Sequence, residues 1–255
     1  MDYSRLHEVL EVCGVPRNGS LFLHSAFKTC ARDGGQAEDF LQSVMDYMAD
    51  GSLFLPTMSW RYVKPHDPFF DELETPSNVG ILTEIFRTKY ASGRSIHPTH
   101  SVAGMGPEAD EVLGGHHLDP TPCSDNSPFG RLVDADGWVV MFAIGFDCCT
   151  LIHHVEEKVA IDLYLKPAEE TETYTCRTRD GREISVDLRR HLFLPRDYWQ
   201  FQDLLAAEGN LAVGSFGNSV IRAFRARDLV DLTTRVLEQR PDAVIAGPGQ
   251  RYRLM

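Results

Sequence analysis

Long apolar runs are missing from this chain. None approaches the roughly 20 residues that a membrane-spanning helix needs. The first residues, MDYSRLHEVLEVCG, are amphipathic and acidic, without the basic start and apolar middle of a secretory signal. The expectation is a cytoplasmic enzyme or binding protein with no membrane partner. Positive charge is also short: 25 Lys and Arg stand against 37 Asp and Glu, for a formal net charge of −12. That balance argues against nucleic acid or an anionic membrane surface as partner and suits a cationic substrate. Cysteine is sparse and poorly spaced for metal or redox work. The six, at positions 13, 30, 123, 148, 149 and 176, form no C-x-x-C and no zinc spacing, so reduced thiols are expected. Cys148 and Cys149 are too close for a relaxed disulfide. There is no H-E-x-x-H, no Walker A loop, no dinucleotide fingerprint, no internal repeat and no low-complexity linker. No metal is expected.

What is present is an ordinary globular chain of 255 residues, 43% hydrophobic, long enough for one large domain. Over residues 4–13, Leu6, Val9, Leu10 and Cys13 fall on one helical stripe that Gly14 and Pro16 end. Residues 20–24 read as a short buried strand. Residues 37–48 read as a helix with Phe40, Leu41, Val44, Met45 and Met48 on its apolar side. Asp50-Gly51 turns the chain into a strand over 52–56, giving the start of an alternating α/β domain. The stretch 59–75 is aromatic and Pro-rich with no clean period, which reads as a long ordered surface loop. A helix over 79–90 follows, with Ser77 as its N-cap. The segment 94–103 ends as an apolar strand, and 108–113 forms a short helix. The turn-rich stretch to residue 130 contains His116-His117, expected to be solvated. Residues 138–145, WVVMFAIG, read as a buried strand. Asp180-Gly181 marks a hairpin between 171–178 and 183–188. Helix over 198–207, strand over 211–216 and helix over 228–238 close the pattern, and the tail GPGQRYRLM is expected to be loose. The whole, 1–255, is expected to be a single α/β domain. A central mixed β-sheet flanked by helices would make three α/β/α layers, with a small C-terminal β-rich extension.

Three segments carry candidate chemistry. CCTLIHHVEE, residues 148–157, follows the 138–145 strand, where α/β proteins place their sites. His153 and Glu156 are three apart, so on a helix they share a face. A neutral imidazole can take a proton at pH 7 while a carboxylate holds its tautomer. His154 is turned about 100° away. In the loop after the first strand, Gly34-Gly35 precedes a helix, and Lys28 and Arg32 add positive charge. Such a loop can present N–H groups to phosphate or be a simple turn. In RSIHPTHSVA, Pro98 makes His97 extended, suiting either a structural hydrogen bond or a functional one. Two rival chemistries compete. Cys149 with His153 can be a thiol nucleophile and its base, although a buried inert thiol is simpler. His97, His153, His154 and Glu156 can be set against a metal, although their spacing fits no known motif.

Taken together, LFLHSAFKTCARDGG, GSLFLPTMSW, TPSNVGILTEIFR, RSIHPTHSVAGMGP, SPFGRLVDADGWVVMFAIGFDCCTLIHHVEE and GNLAVGSFGNSVIRAFRARDLVD resemble, in the same order, segments of the aminoglycoside 3-N-acetyltransferase family. The resemblance implies transfer of an acetyl group from acetyl-CoA to a primary amine without a covalent enzyme intermediate, on a fold distinct from GNAT acetyltransferases. It implies that His153 and Glu156 match the family's T-x-x-H-x-x-E segment and His97 its H-P-x-x-S histidine. It places the coenzyme at His24, Ser25, Ala26, Phe27, Lys28, Gly34, Gly35 and Ser101. Ala26 replaces the second hydroxyl of the family's H-S-S-L. Asp67, Thr75, Ser77 and Glu84 fall in or beside the segments expected to face the acceptor, which include a long loop spanning 59–76 that also carries Trp60. Asp71 and Glu72 are expected to help hold a polycationic aminosugar over Trp60. Thr150 or a backbone N–H is the expected oxyanion donor. The partners implied are acetyl-CoA and an amine-bearing small molecule, an aminoglycoside or an amino sugar of surface-polysaccharide or secondary-metabolite biosynthesis. A silent protein that holds coenzyme A or an aminosugar is the non-enzymatic alternative, and the assembly is a monomer or homodimer.

Overall fold

Strands that are apolar at nearly every position must be covered on both faces, and this requirement organises the molecule. The computed structural model describes residues 1–247, so 248–255 of the tail expected to be loose lie outside the described residues. In chain order the elements are α1 (Ser4–Val12), β1 (Ser20–Ser25), α2 (Lys28–Arg32), α3 (Ala37–Tyr47), β2 (Ser52–Pro56), β3 (Phe69–Asp71), α4 (Ile81–Lys89), β4 (Gly93–Arg94) and β5 (Val102–Met105). They continue with α5 (Ala109–Leu113), α6 (Pro128–Asp134), β6 (Trp138–Phe142), α7 (Leu151–Tyr164), β7 (Glu172–Arg177), β8 (Glu183–Leu188), α8 (Trp199–Ala207), β9 (Ala212–Phe216), β10 (Ser219–Arg225) and α9 (Ala226–Gln239).

Seven strands form one sheet in the order β4-β5-β2-β1-β6-β10-β9. β1 runs parallel to β2 and β6, whereas β5 and β10 run antiparallel to their neighbours, so the sheet is mixed. Alternation along β1 divides the core. Phe22 joins Phe54, Val139 and Met141 on the face covered by α5 to α9, while Leu21 and Leu23 join Leu53, Leu55 and Val140 on the face covered by α1, α3 and α4. The result is the expected α/β/α layering. Among the described residues, no helix is long and apolar enough to cross a membrane.

A second sheet, β3-β7-β8, has its own core of Val63, Phe70, Tyr174, Cys176, Val186 and Leu188. It corrects the reading of 59–75 as a loop without secondary structure. β3 lies within that stretch and pairs in parallel with β7, and Lys64 and Asp67 form an isolated bridge. A three-residue strand is too short to show a period, and its partner comes about a hundred residues later. The β-rich extension is therefore completed from upstream. Two smaller corrections follow from tertiary pairing. β10 was not expected; it fills the gap between β6 and β9, and its arginines mask the alternation that buries Ile221 and Ala223. The segment 94–103 ends in strand β5 as expected, and its first residue also pairs, in β4. The N-cap of α4 is Gly80, because the Ser77 hydroxyl is engaged with the Thr83 hydroxyl at 2.9 Å.

The carboxyl ends of β1, β2 and β6 lie along one edge of the sheet. β1 continues to β2 on one side and neighbours β6 on the other, which makes a crevice outside its carboxyl end. The site lies in that crevice.

Candidate active site

A cavity of about 590 Å3 opens at this edge. His24 and Ser25 line it from β1, Pro56 and Met58 from the end of β2, Ile144 and Asp147 from beyond β6, and Thr150 and His153 from the start of α7. Asn78, Val79 and Gly80 form another wall with Trp60, and Tyr198 closes the base. One turn of helix brings His153 Nδ1 to 2.8 Å from Glu156 Oε2. Glu156 has no exposed side-chain surface, whereas His153 keeps 19%. Tyr198 donates its hydroxyl to Glu156 Oε1 at 2.6 Å and lies 3.0 Å from His153 Nδ1. Arg196 donates Nε to Oε1 at 2.9 Å and a terminal nitrogen to Oε2 at 3.2 Å. Burial alone would raise the Glu156 carboxyl, but the neighbouring His153 and Arg196 outweigh it and hold the group below the ordinary carboxylate value. An anionic Glu156 accepts a hydrogen bond from the His153 Nδ1–H, which leaves the lone pair on Nε2.

Other imidazoles crowd behind this pair. The His191 ring centroid lies 4.3 Å from that of His153, and His100, which lines the cavity, lies 6.4 Å from His153. Burial, with His153 beside them, holds both His100 and His191 well below the usual imidazole value. His191 Nε2 meets Glu157 Oε1 at 2.7 Å. His97 does not line the cavity. Its Nδ1 accepts the N–H groups of Thr99 at 3.2 Å and His100 at 2.9 Å, and its ring stacks on His116 at 4.3 Å. It thereby shapes the turn that presents His100. His116 is not solvated as expected: it is fully buried, between the Ser95 hydroxyl at 3.0 Å and the Pro122 carbonyl at 2.9 Å. A Gly-rich flank signals a turn but not which side of the turn packs inward.

The segment expected at the coenzyme divides. A second cavity of about 460 Å3, lined by Ser25, Ala26, Phe27 and Lys28 among others, shares Ser25, Val79, Gly80 and Ile144 with the first. Gly34 and Gly35 line neither. Gly34 takes a left-handed turn at φ +87°, and a Cβ on Gly35 would stand 2.6 Å from the Cys30 sulfur. Ser101 is also away from both, its hydroxyl set between the Thr57 carbonyl at 2.9 Å and Arg94 Nε at 3.0 Å. On the acceptor side, Trp60 lines the first cavity and the other expected residues do not. Asp67 is exposed. The Thr75 hydroxyl accepts the Asp71 N–H at 2.7 Å. Glu84 accepts the Ser77 N–H at 2.7 Å and pairs with Arg87. Asp71 accepts the N–H groups of Leu73 and Glu74, each at 2.9 Å, and Glu72 accepts the Arg179 N–H and Nε at 2.8 and 2.6 Å.

Against known proteins, residues 22–238 match the family described as aminoglycoside 3-N-acetyltransferase. The chain belongs to the aminoglycoside 3-N-acetyltransferase family. Within it, the chain is similar to aminoglycoside N(3)-acetyltransferase III of Pseudomonas aeruginosa, 25% identical over 93% of this chain and 94% of that one. Aminoglycoside N(3)-acetyltransferase VIII of Streptomyces fradiae is 27% identical over 95% of this chain and 94% of its own length. Solved structures carry the same fold. A mutant of aminoglycoside acetyltransferase AAC(3)-IVa in complex with a gentamicin superposes with a TM-score of 0.79 at 23% identity, covering 96% of this chain and 92% of that one. AAC-IIIb in binary complex with CoASH gives a TM-score of 0.79 at 20% identity, covering 94% and 97%.

For a member of this acyltransferase family, three neighbours of His153 escaped the sequence reading: Arg196, Tyr198 and His191. None has a local signal, since each arrives in space from beyond the small sheet. The rival chemistries find little support. Burial pushes the Cys149 thiol up to about 12, so it supplies no thiolate at neutral pH. Among the described residues, two groups bring three metal-type donors within 4.8 Å, His153/Glu156/His191 and Cys123/Glu157/His191. In the first, the carboxylate is already paired with the Arg196 cation, which would repel a metal; in the second, Glu157 and His191 are at hydrogen-bond distance.

Proposed function

We propose that this chain is a cytoplasmic acetyl-CoA-dependent N-acetyltransferase that acetylates a primary amine of an amino-sugar-bearing acceptor, with His153 as general base. The observation that carries the reading is the 2.8 Å contact between His153 Nδ1 and the buried Glu156 carboxylate, at the wall of a cavity continuous with a second one. Relatives named for N(3)-acetylation of aminoglycosides and a fold neighbour binding CoASH support it. The coenzyme arm lies along the second cavity, beside Ala26, Phe27 and Lys28, and delivers the thioester past Ser25 and Gly80.

An ammonium has no lone pair with which to attack a thioester. His153 Nε2 accepts one of its protons, and Glu156, fixed by Arg196 and Tyr198, stabilises the imidazolium that results. The free amine then forms a bond to the thioester carbon. The tetrahedral oxyanion is met by Thr150, at the positive end of α7. Collapse breaks the carbon–sulfur bond as His153 gives its proton to the leaving thiolate, and the surplus proton still on the attacking nitrogen then passes to the freed His153 imidazole and from there to water. His100 and His191 stay neutral beside the imidazolium, so they add no opposing charge. Free-thiol release from acetyl-CoA, followed across aminoglycosides, simple amino sugars and polyamines, tests the proposal. His153→Ala should lose about 10²- to 10⁴-fold in kcat while calorimetric binding of acetyl-CoA persists. An undiminished rate in that variant would remove His153 from the mechanism. Acetyl-CoA binding without thiol release from any amine in the wild type would favour a silent binding protein.

A further inference from the structure

The family's named substrates are polycations, yet the cavity of this chain is poor in charge of either sign. Among the described residues that line it, Asp147 is the one carboxylate, and there is no Lys or Arg. Asp147 stands at the exposed rim. The remaining acids of the acceptor-side segment are engaged elsewhere. Asp71 and Glu72 fasten the segment to Arg177 and Arg179 of the small sheet, and Glu84 is held by Arg87. The apolar part of the lining is instead built from Pro56, Met58, Trp60, Val79 and Ile144.

An ammonium brought against such a wall loses water and gains no anionic partner. A polycation would place several there. A phosphate or carboxylate on the acceptor fares no better, since no cation lines the cavity. We infer that the acceptor carries a single ammonium, no phosphate or carboxylate, and an apolar face that packs on Trp60 and Met58, as in a monoamino sugar glycoside with an apolar aglycone. The ammonium enters past Asp147 and is deprotonated at His153. This inference rests on the acetyl-transfer reading above and narrows its substrate class.

The test compares kcat/KM, by thiol release from acetyl-CoA, for the methyl and phenyl glycosides of a 3-amino-3-deoxyhexose and for a tetra-amino aminoglycoside. The expected result is a preference of about tenfold or more for the phenyl glycoside over the aminoglycoside, with the methyl glycoside between them. Trp60→Glu, which removes the apolar platform and adds a carboxylate, should shift that ratio toward the aminoglycoside; Trp60→Phe should leave it in place. Equal or better turnover of the aminoglycoside by wild type overturns the inference and leaves acetyl transfer standing. An unchanged ratio in Trp60→Glu overturns the apolar face assigned to Trp60. If acetyl-CoA raises the melting midpoint but no amine releases thiol, both the inference and the reading beneath it fall.

Discussion

Glu156 gathers His153, Arg196 and Tyr198 around one carboxylate that water does not reach. Desolvating a carboxylate costs several kcal/mol, and only the partner charge and the donors offset it. Arg196→Met should therefore destabilise the fold by about 3–5 kcal/mol, because it strands a buried anion. Pairing it with Glu156→Gln, which removes the stranded charge, should recover most of the loss. Urea denaturation of the two single variants and the double measures this, and additive losses would mean that the two groups are not coupled. Half of this constellation is legible in the sequence. His153 and Glu156 are one helical turn apart, and that spacing survives any tertiary context. Arg196 and Tyr198 come from 40 and 42 residues beyond Glu156, out of a segment with no period, so nothing local announces them. His97 and His100 show a subtler limit. Both are conspicuous beside Pro98, but which of them faces the cavity depends on His97 turning back to accept the two N–H groups that follow it.

α7 shows why one helix can do two jobs at its amino-terminal end. In the run His153-His154-Val155-Glu156-Glu157, two three-residue spacings overlap about 100° apart. His153 faces the cavity with Glu156 buried behind it, while His154 and Glu157 clamp the loop at Cys123 through its carbonyl and its N–H, each at 2.8 Å. β3 is the contrasting case, an element made by contacts distant in sequence. The central strands β1, β2 and β6 were legible because burial on both faces writes a continuous apolar run. β3 and its acids were not: Arg177 and Arg179, which engage Asp71 and Glu72, lie about a hundred residues on, so the negative charge of 59–76 looked available for a ligand. Arg94 ties this segment to the main sheet. It is buried, donates to the carbonyls of Thr57 at 2.8 Å and Thr75 at 2.6 Å, and its guanidinium lies 4.7 Å from the Phe70 ring. Arg94→Met leaves those carbonyls without donors and should cost about 2–5 kcal/mol. More tellingly, limited proteolysis should cut first between residues 60 and 76, with KM for the acceptor rising before kcat falls. A variant cut no faster than wild type would show that the small sheet holds the segment unaided.

At the scale of the whole molecule, buried imidazoles decide how stability responds to pH. Burial lowers His24 and His116 to about 4, and lowers His97, His100, His154 and His191 as well. The unfolded chain takes up these protons near pH 6.5 and the folded one only at more acid pH, so stability is intact above 6.5 and falls as pH drops toward 4. Each group contributes about 1.4 kcal/mol per pH unit inside its window. Glu156, held low in the folded state, adds to the acid loss once pH falls through the carboxylate range. Glu157 acts in the opposite sense. Burial raises it to about 8, so the folded state binds its proton first, and its contribution shrinks as pH climbs from the carboxylate range to 8. Below pH 6.5 six histidines oppose one carboxyl and the acid loss wins; between 6.5 and 8 Glu157 acts alone. Between pH 5 and 8, below the range where the thiols of the unfolded chain ionise, stability should therefore peak near pH 6.5, with a steep acid side and an alkaline side no steeper than about 1.4 kcal/mol per pH unit. Denaturant midpoints from pH 5 to 8 measure the curve. Glu157→Gln keeps an acceptor for His191 and the Cys123 N–H but cannot ionise, so it should flatten the alkaline side alone. An alkaline decline that persists in this variant would place its origin in some group other than Glu157.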